Sequence, residues 1–210
     1  MFRDRIEAGI LLAKKLKKYK NDKGIVLAVP RGGVPVAYAV ARELNFPIEL
    51  VLTKKIGHPG NKEYAIGAAS LSDYFIVPHE EVSEEYIQKE LLDIRRRLKE
   101  MHRKFLGDRE PESLERKTII VIDDGIATGN TLLGTVNVLR KGNPAKIVIA
   151  VPVASESAVE KLSIEVDEIV ALLIPEFFHG VGAFYEDFGE VTDEEVMFYL
   201  DKLRGLRQAV

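Results

Sequence analysis

A chain of 210 residues, 46% hydrophobic and 30% charged, can bury a substantial core and has the balance of an ordinary globular protein. Its net charge of −3 and pI near 5.9 provide no global attraction to nucleic acid or to an anionic membrane. The absence of cysteine excludes disulfides, thiolate metal sites and a cysteine nucleophile.

The first twenty residues, MFRDRIEAGILLAKKLKKYK, carry Phe2, Ile6, Ile10, Ala13 and Leu16 at helical spacing, with Asp4 and Glu7 interspersed. Residues 2–19 are therefore expected as an amphipathic helix rather than a targeting peptide. No stretch approaches membrane-spanning length, and a cytoplasmic protein is the expectation. A buried strand follows at 24–29, a helix at 34–44 and a second strand at 48–53 that ends at Thr53. Lys54 and Lys55 then open a Gly- and Pro-rich loop holding His58, Asn61, Lys62 and Glu63, a composition that suggests a mobile segment carrying positive charge. A plainer possibility there is an exposed hairpin. Short strands are placed at 64–70 and 74–77.

From Glu80 to Phe105 the chain reads as one long helix, with Ile87, Leu91, Ile94, Leu98, Met101 and Phe105 spaced four-three-four-three-four. Its other face carries Arg95, Arg96, Arg97, Lys99, Arg103 and Lys104. Such a charge run usually marks a solvated face on a helix that packs on the core or on a second subunit of a homodimer. A nucleic-acid arm has no interleaved aromatics to support it. Residues 106–116 read as a loop. A strand at 118–122, a helix from Asn130, a strand at 146–151, a helix at 155–163 and a strand at 167–174 complete the alternation. A last helix at 193–207 is opened by Thr192 and Glu195 at capping-box spacing. The fold expected is α/β: a mostly parallel twisted sheet with helices on both faces. One domain over 1–210 would carry a helical insertion at about 80–110 and an aromatic segment at 174–191.

Residues 118–131, TIIVIDDGIATGNT, are the richest in chemistry. Asp123 and Asp124 fall where a buried strand would end, Gly125-Ile126-Ala127-Thr128-Gly129 form a loop, and Asn130 and Thr131 open a helix. Paired carboxylates beside a helix start suit a ligand bearing both hydroxyls and a phosphate. The hydroxyls of Thr128 and Thr131 can add hydrogen bonds, and the carboxylates can help hold a hydrated Mg²⁺. A Walker loop is ruled out: three residues rather than four separate Gly125 from Gly129, and Asn130 stands where its lysine would be. Upstream, Pro30-Arg31-Gly32-Gly33 links a strand to a helix, with two glycines that let amides approach an anion and an arginine that can fork onto phosphate. Downstream, Phe177, Phe178, Phe184, Tyr185 and Phe188 are either flat faces for a ring-shaped acceptor or a satellite hydrophobic cluster.

VIDDGIATGNT resembles the phosphoribosyl pyrophosphate (PRPP) signature of the type I phosphoribosyltransferases, and the resemblance covers residues 24–174. It implies Mg²⁺-dependent displacement of pyrophosphate from PRPP by a small-molecule acceptor, usually a nitrogenous base. It implies that Asp123 and Asp124 hold the ribose hydroxyls and Mg²⁺ through water. Gly125 to Thr131 would hold the phosphate, Arg31, Gly32 and Gly33 the pyrophosphate. A loop with Lys54, Lys55, His58 and Lys62 would close over the substrate. A hood near the C-terminus, here Phe177, Phe178, Phe184 and Tyr185, would meet the acceptor. Members of the superfamily that sense PRPP or nucleotides without turnover are one rival class, and an RNA-binding module using the Arg95–Lys104 face is another.

Overall fold

The structure, a computed structural model, describes residues 1–208 except Pro78 and Glu80, and the side chains of all these except Glu63, Arg207 and Gln208. The chain packs as two compact units. One comprises 1–51, 111–129 and 143–210, the other 52–110 and 130–142.

The first unit is built on a five-stranded parallel sheet flanked by helices. Its strands are β1 (Gly24–Ala28), β2 (Ile48–Leu50), β6 (Thr118–Ile122), β7 (Lys146–Val153) and β8 (Glu168–Leu173), in the order β2-β1-β6-β7-β8. All five residues of β6 are buried, the continuous apolar run expected of a central parallel strand. The helix α1 (Arg5–Leu16) packs on α2 (Gly33–Leu44), which is buried along nearly its whole length, as a helix apolar on all sides must be. Gly9 permits that approach: a Cβ there would lie 2.7 Å from the Val36 carbonyl. The helices α5 (Glu156–Ser163) and α6 (Asp193–Gln208) complete the unit, and the Thr192 and Glu195 capping box forms as spaced, with bonds of 3.2 and 2.8 Å.

The order of the strands places the candidate chemistry. From β1 the chain crosses to β2 on one side, then returns to β6 on the other side of β1. The boundary between β1 and β6 is thus the switch point, where loops at the strands' carboxyl ends diverge and leave a crevice. Ala28 and Ile122 are partners across that boundary. Residues 30–33 and 123–129 therefore leave the sheet side by side.

The second unit holds an antiparallel sheet of β3 (Lys54–His58), β4 (Asn61–Ala69) and β5 (Tyr74–Ile76), against which α3 (Glu84–Leu106) and α4 (Asn130–Lys141) pack. Ser83 caps α3, and Ile87, Leu91, Ile94, Leu98 and Phe105 bury the stripe expected of them. The helix starts later than its spacing suggests, and Glu80 lies outside the described residues. On its basic side Arg95 donates to the Ser72 carbonyl at 2.9 Å and Arg96 pairs with Asp93 at 3.0 Å.

Three expectations are corrected. The N-terminal helix begins at Arg5, not residue 2, because Asp4 caps it and Phe2 bridges Tyr185 in strand fashion. The strand expected at 48–53 stops at Leu50. The loop expected from Lys54 onward is a β-hairpin turning at Pro59-Gly60. Gly57 and Gly67 are sites of close approach within its strands, while Gly60 forms the turn. A Cβ on Gly57 would sit 2.5 Å from the Lys62 carbonyl, and one on Gly67 would sit 2.1 Å from the Phe75 carbonyl. Gly67→Ala is accordingly expected to destabilise by about 1–3 kcal/mol. In thermal unfolding this lowers the midpoint by about 2–4 °C per kcal/mol. An unchanged midpoint would mean that β4 and β5 separate without cost.

Among the described residues no helix is long and apolar enough to cross a membrane.

Candidate functional site

At the end of β6, Asp123 turns back on the chain and its Oδ1 accepts the Asp124 amide at 2.9 Å. Burial, and next the neighbouring charge of Asp124, hold the Asp123 carboxyl well above the usual carboxylate range. Asp124 is treated differently. Arg5 Nε donates to its Oδ2 at 2.9 Å, with both side chains largely enclosed (12% and 15% exposed). The phenol of Tyr185 donates to the Asp124 carbonyl at 2.7 Å, and burial raises that phenol above its ordinary value.

The turn after β1 lies against this pair. A Cβ on Gly32 would fall 2.0 Å from Asp124 Oδ2, and one on Gly33 would fall 2.6 Å from the Ile122 carbonyl and 2.9 Å from the Asp123 Cα. Only glycine lets the backbone of this turn approach the carboxylates so closely. Gly33 begins α2, and its amide donates to the Val29 carbonyl at 3.0 Å. The Arg31 side chain, partly exposed, donates to Glu190 and stands 3.9 Å from Asp193.

The rest of the loop is anchored from β7 and α5. The Ile126 amide donates to the Val153 carbonyl at 2.9 Å, and the Ser155 amide donates to the Ile126 carbonyl at 2.9 Å. Ser155 Oγ donates to the Ala127 carbonyl at 2.6 Å, while Lys161 Nζ donates to the Thr128 carbonyl at 3.0 Å. Gly129 takes a left-handed φ of 70° just before α4, a conformation natural to glycine. With their carbonyls tied behind, Ala127 and Thr128 remain exposed at the loop's surface. Asn130 and Thr131 are the exposed first residues of α4.

Two further groups of expected residues have their own surroundings. Lys54 and Lys55 are exposed at the start of β3 in the second unit. There Lys62 is no free charge: it donates to the Tyr86 hydroxyl at 2.7 Å and to Glu90 at 2.6 Å. His58 Nδ1 accepts the Gly60 amide at 3.1 Å in the hairpin turn. Within the first unit the aromatic segment forms a satellite cluster. Phe178 and Phe184 stack at 5.8 Å, and Tyr185 lies 5.4 Å from Phe2 and 5.0 Å from Phe188. Phe177 stands apart from it, 70% exposed. Arg5, Ser155, Lys161, Glu190 and Asp193 were not singled out from the sequence.

A parallel sheet with an acidic pair and a glycine turn meeting at its switch point is the architecture of a type I phosphoribosyltransferase domain. The phosphoribosyl transferase domain model matches residues 5–188, and the chain belongs to that family. A Mycobacterium tuberculosis protein named "Putative phosphoribosyl transferase MT0597" is 33% identical over 207 residues, 96% of this chain. The chain spans about half the length of that relative, 47% of it. The crystal structure of TT1426 from Thermus thermophilus has a TM-score of 0.85 at 38% identity, covering 97% of this chain and 99% of that one. A hypothetical protein from Neisseria gonorrhoeae, solved with bound ppGpp, shares the fold at 15% identity with a TM-score of 0.51, covering 100% of this chain and 98% of that one.

Proposed function

We propose that this protein is a Mg²⁺-dependent phosphoribosyltransferase that displaces pyrophosphate from PRPP with a nitrogenous base or a related acceptor. The observation that carries the reading is the contact at the switch point, where Gly32 abuts the Asp124 carboxylate. It supports the reading because a glycine turn suited to an anion lies beside carboxylates suited to hydroxyls, as a molecule with pyrophosphate on a sugar carbon requires.

In the reaction the bond between ribose C1 and a pyrophosphate oxygen breaks, and the electron pair leaves with pyrophosphate. A bond forms from an acceptor nitrogen to C1. Asp123 and Asp124 accept from the ribose hydroxyls, the amides of residues 125–131 and the hydroxyls of Thr128 and Thr131 hold the 5′-phosphate, and the 31–33 turn holds the pyrophosphate. Catalysis is mainly orientation and fixed charge. Among the described residues no group of three or more His, Asp or Glu side chains could cage a metal. Mg²⁺ would be held by substrate phosphates and by Asp123 and Asp124 through water, where it would neutralise pyrophosphate charge.

A non-catalytic PRPP or nucleotide sensor is favoured by one observation: Asp124 and Arg31 already pair with Arg5 and with Glu190. A screen for pyrophosphate release from PRPP and Mg²⁺ across purine, pyrimidine and pyridine bases separates the two. Release with at least one base supports the transferase; PRPP binding without release in the whole panel supports the sensor.

The resemblance to the family, rather than any contact, directs Lys54 and Lys55 to the departing pyrophosphate. Charge directed at a leaving group acts most as that group gains charge, so Lys54→Ala and Lys55→Ala should lower kcat more than PRPP affinity. Normal turnover with only a raised KM would reduce both lysines to ground-state binding.

A further inference from the structure

We propose that Arg5 is a positioning residue for the Asp124 carboxylate, which makes the first turn of α1 part of the ribose-holding side of the site. The inference rests on the phosphoribosyl reading above. Arg5 and Asp124 are 119 positions apart in sequence, and the Arg5 side chain is only 12% exposed. Three contacts of different kinds fix its guanidinium. Nε donates to Asp124 Oδ2 at 2.9 Å, NH1 donates to the Gly189 carbonyl at 2.8 Å, and the planar group lies 3.9 Å over the Phe188 ring. A guanidinium gripped along its edge by two acceptors and on its face by a ring is a fixed part rather than a swinging arm.

The same Oδ2 also lies close to the Gly32 backbone, where a Cβ would be 2.0 Å away. The carboxylate is thus held by the guanidinium and crowded by the glycine turn, which together restrict its rotation. A sugar hydroxyl then finds an acceptor already oriented, next to the anion-binding turn. Rotating the carboxylate would lose both alignments. The Arg5 contacts also tie α1 to the segment around Phe188 and Gly189, which explains why a single arginine reaches three parts of the unit.

The test is calorimetric titration of wild type, Arg5→Gln and Arg5→Lys with PRPP and, separately, with inorganic pyrophosphate, each with Mg²⁺. Glutamine removes the charge-assisted bond and should weaken PRPP binding about tenfold or more. It should weaken pyrophosphate binding much less, because that ligand has no ribose and would meet Asp124 only through Mg²⁺ and water. Lysine keeps a cation for Asp124 but cannot grip two acceptors and stack, so it should recover part of the loss. PRPP affinity that is unchanged or tighter in Arg5→Gln overturns the proposal. So does equal loss of both ligands without recovery by lysine, which would make Arg5 merely structural. If wild type binds neither ligand, the phosphoribosyl reading fails and this inference falls with it.

Discussion

Asp124→Asn is expected to weaken PRPP binding by about one to two orders of magnitude, at 1.5–3 kcal/mol for each charge-assisted hydrogen bond lost. Asp123→Asn should do the same somewhat less severely. Stability should separate the two variants by sign. Asp124 pairs with a largely enclosed arginine, so its amide leaves Arg5 without a counter-charge and should lower the unfolding midpoint. Asp123 is held above the usual carboxylate range, so the folded state binds its proton more tightly than the unfolded chain does. The stability from that proton is present below the unfolded value near 4 and disappears as pH rises through the folded value. At neutral pH the buried charge is a cost that asparagine removes, while its amide oxygen can still accept the Asp124 N–H. Asp123→Asn should therefore unfold at a higher temperature than wild type at pH 7, with the advantage shrinking as pH falls toward 4. Calorimetry with PRPP and thermal melts across pH measure both effects. Unchanged PRPP affinity in both variants would sink the assignment, and a lower midpoint for Asp123→Asn at neutral pH would refute the account of its burial.

What the sequence conveyed well was whatever repeats along the chain. The apolar run of β6, the stripe of α3 and the capping box of α6 each follow from local spacing, and each takes its place in the structure within a few residues. The sequence joined the 30–33 and 123–129 loops only through the family resemblance, since the strand order that makes them neighbours is not local. What was lost is whatever depends on long-range register. Nothing in the first turn of α1 marks Arg5 as the partner of a residue 119 positions on. Glu190 and Asp193 look like ordinary surface acids until α6 brings them to Arg31. Gly57 of β3 was misread for a different reason. In a strand, glycine marks backbone proximity, and only the partner strand shows that no turn is involved. The aromatic segment was ambiguous because one composition serves a lid or a cluster equally well. The structure packs Phe178, Phe184 and Tyr185 around Phe2 and leaves Phe177 to solvent.

Hypoxanthine and guanine are expected to be poor acceptors. In phosphoribosyltransferases that act on them, the position held here by Ala127 is typically an aspartate placed to take a proton from the purine ring, and alanine has no titratable group. Ala127 is exposed at the loop surface, with its carbonyl held from behind by Ser155 Oγ at 2.6 Å. The other side chain tied to this stretch is Lys161, which donates to the Thr128 carbonyl at 3.0 Å. A side chain acting as donor there is poorly suited to accept a proton from the base. Loss of a positioned general base typically costs about 10²–10⁴ in rate, so transfer to hypoxanthine or guanine should fall below transfer to an acceptor that needs no such proton removal by that factor. The Ala-Thr-Gly spelling resembles the adenine-type signature more closely, and adenine is the natural comparison in the assay. Chromatographic separation of the products of PRPP with each purine measures the ratio directly. Ready formation of inosine or guanosine monophosphate would show that another residue supplies the base and that Ala127 does not set the acceptor. Introducing the missing carboxylate gives the reciprocal experiment: Ala127→Asp should raise hypoxanthine transfer, since position 127 is exposed and can take an aspartate without displacing a packed side chain.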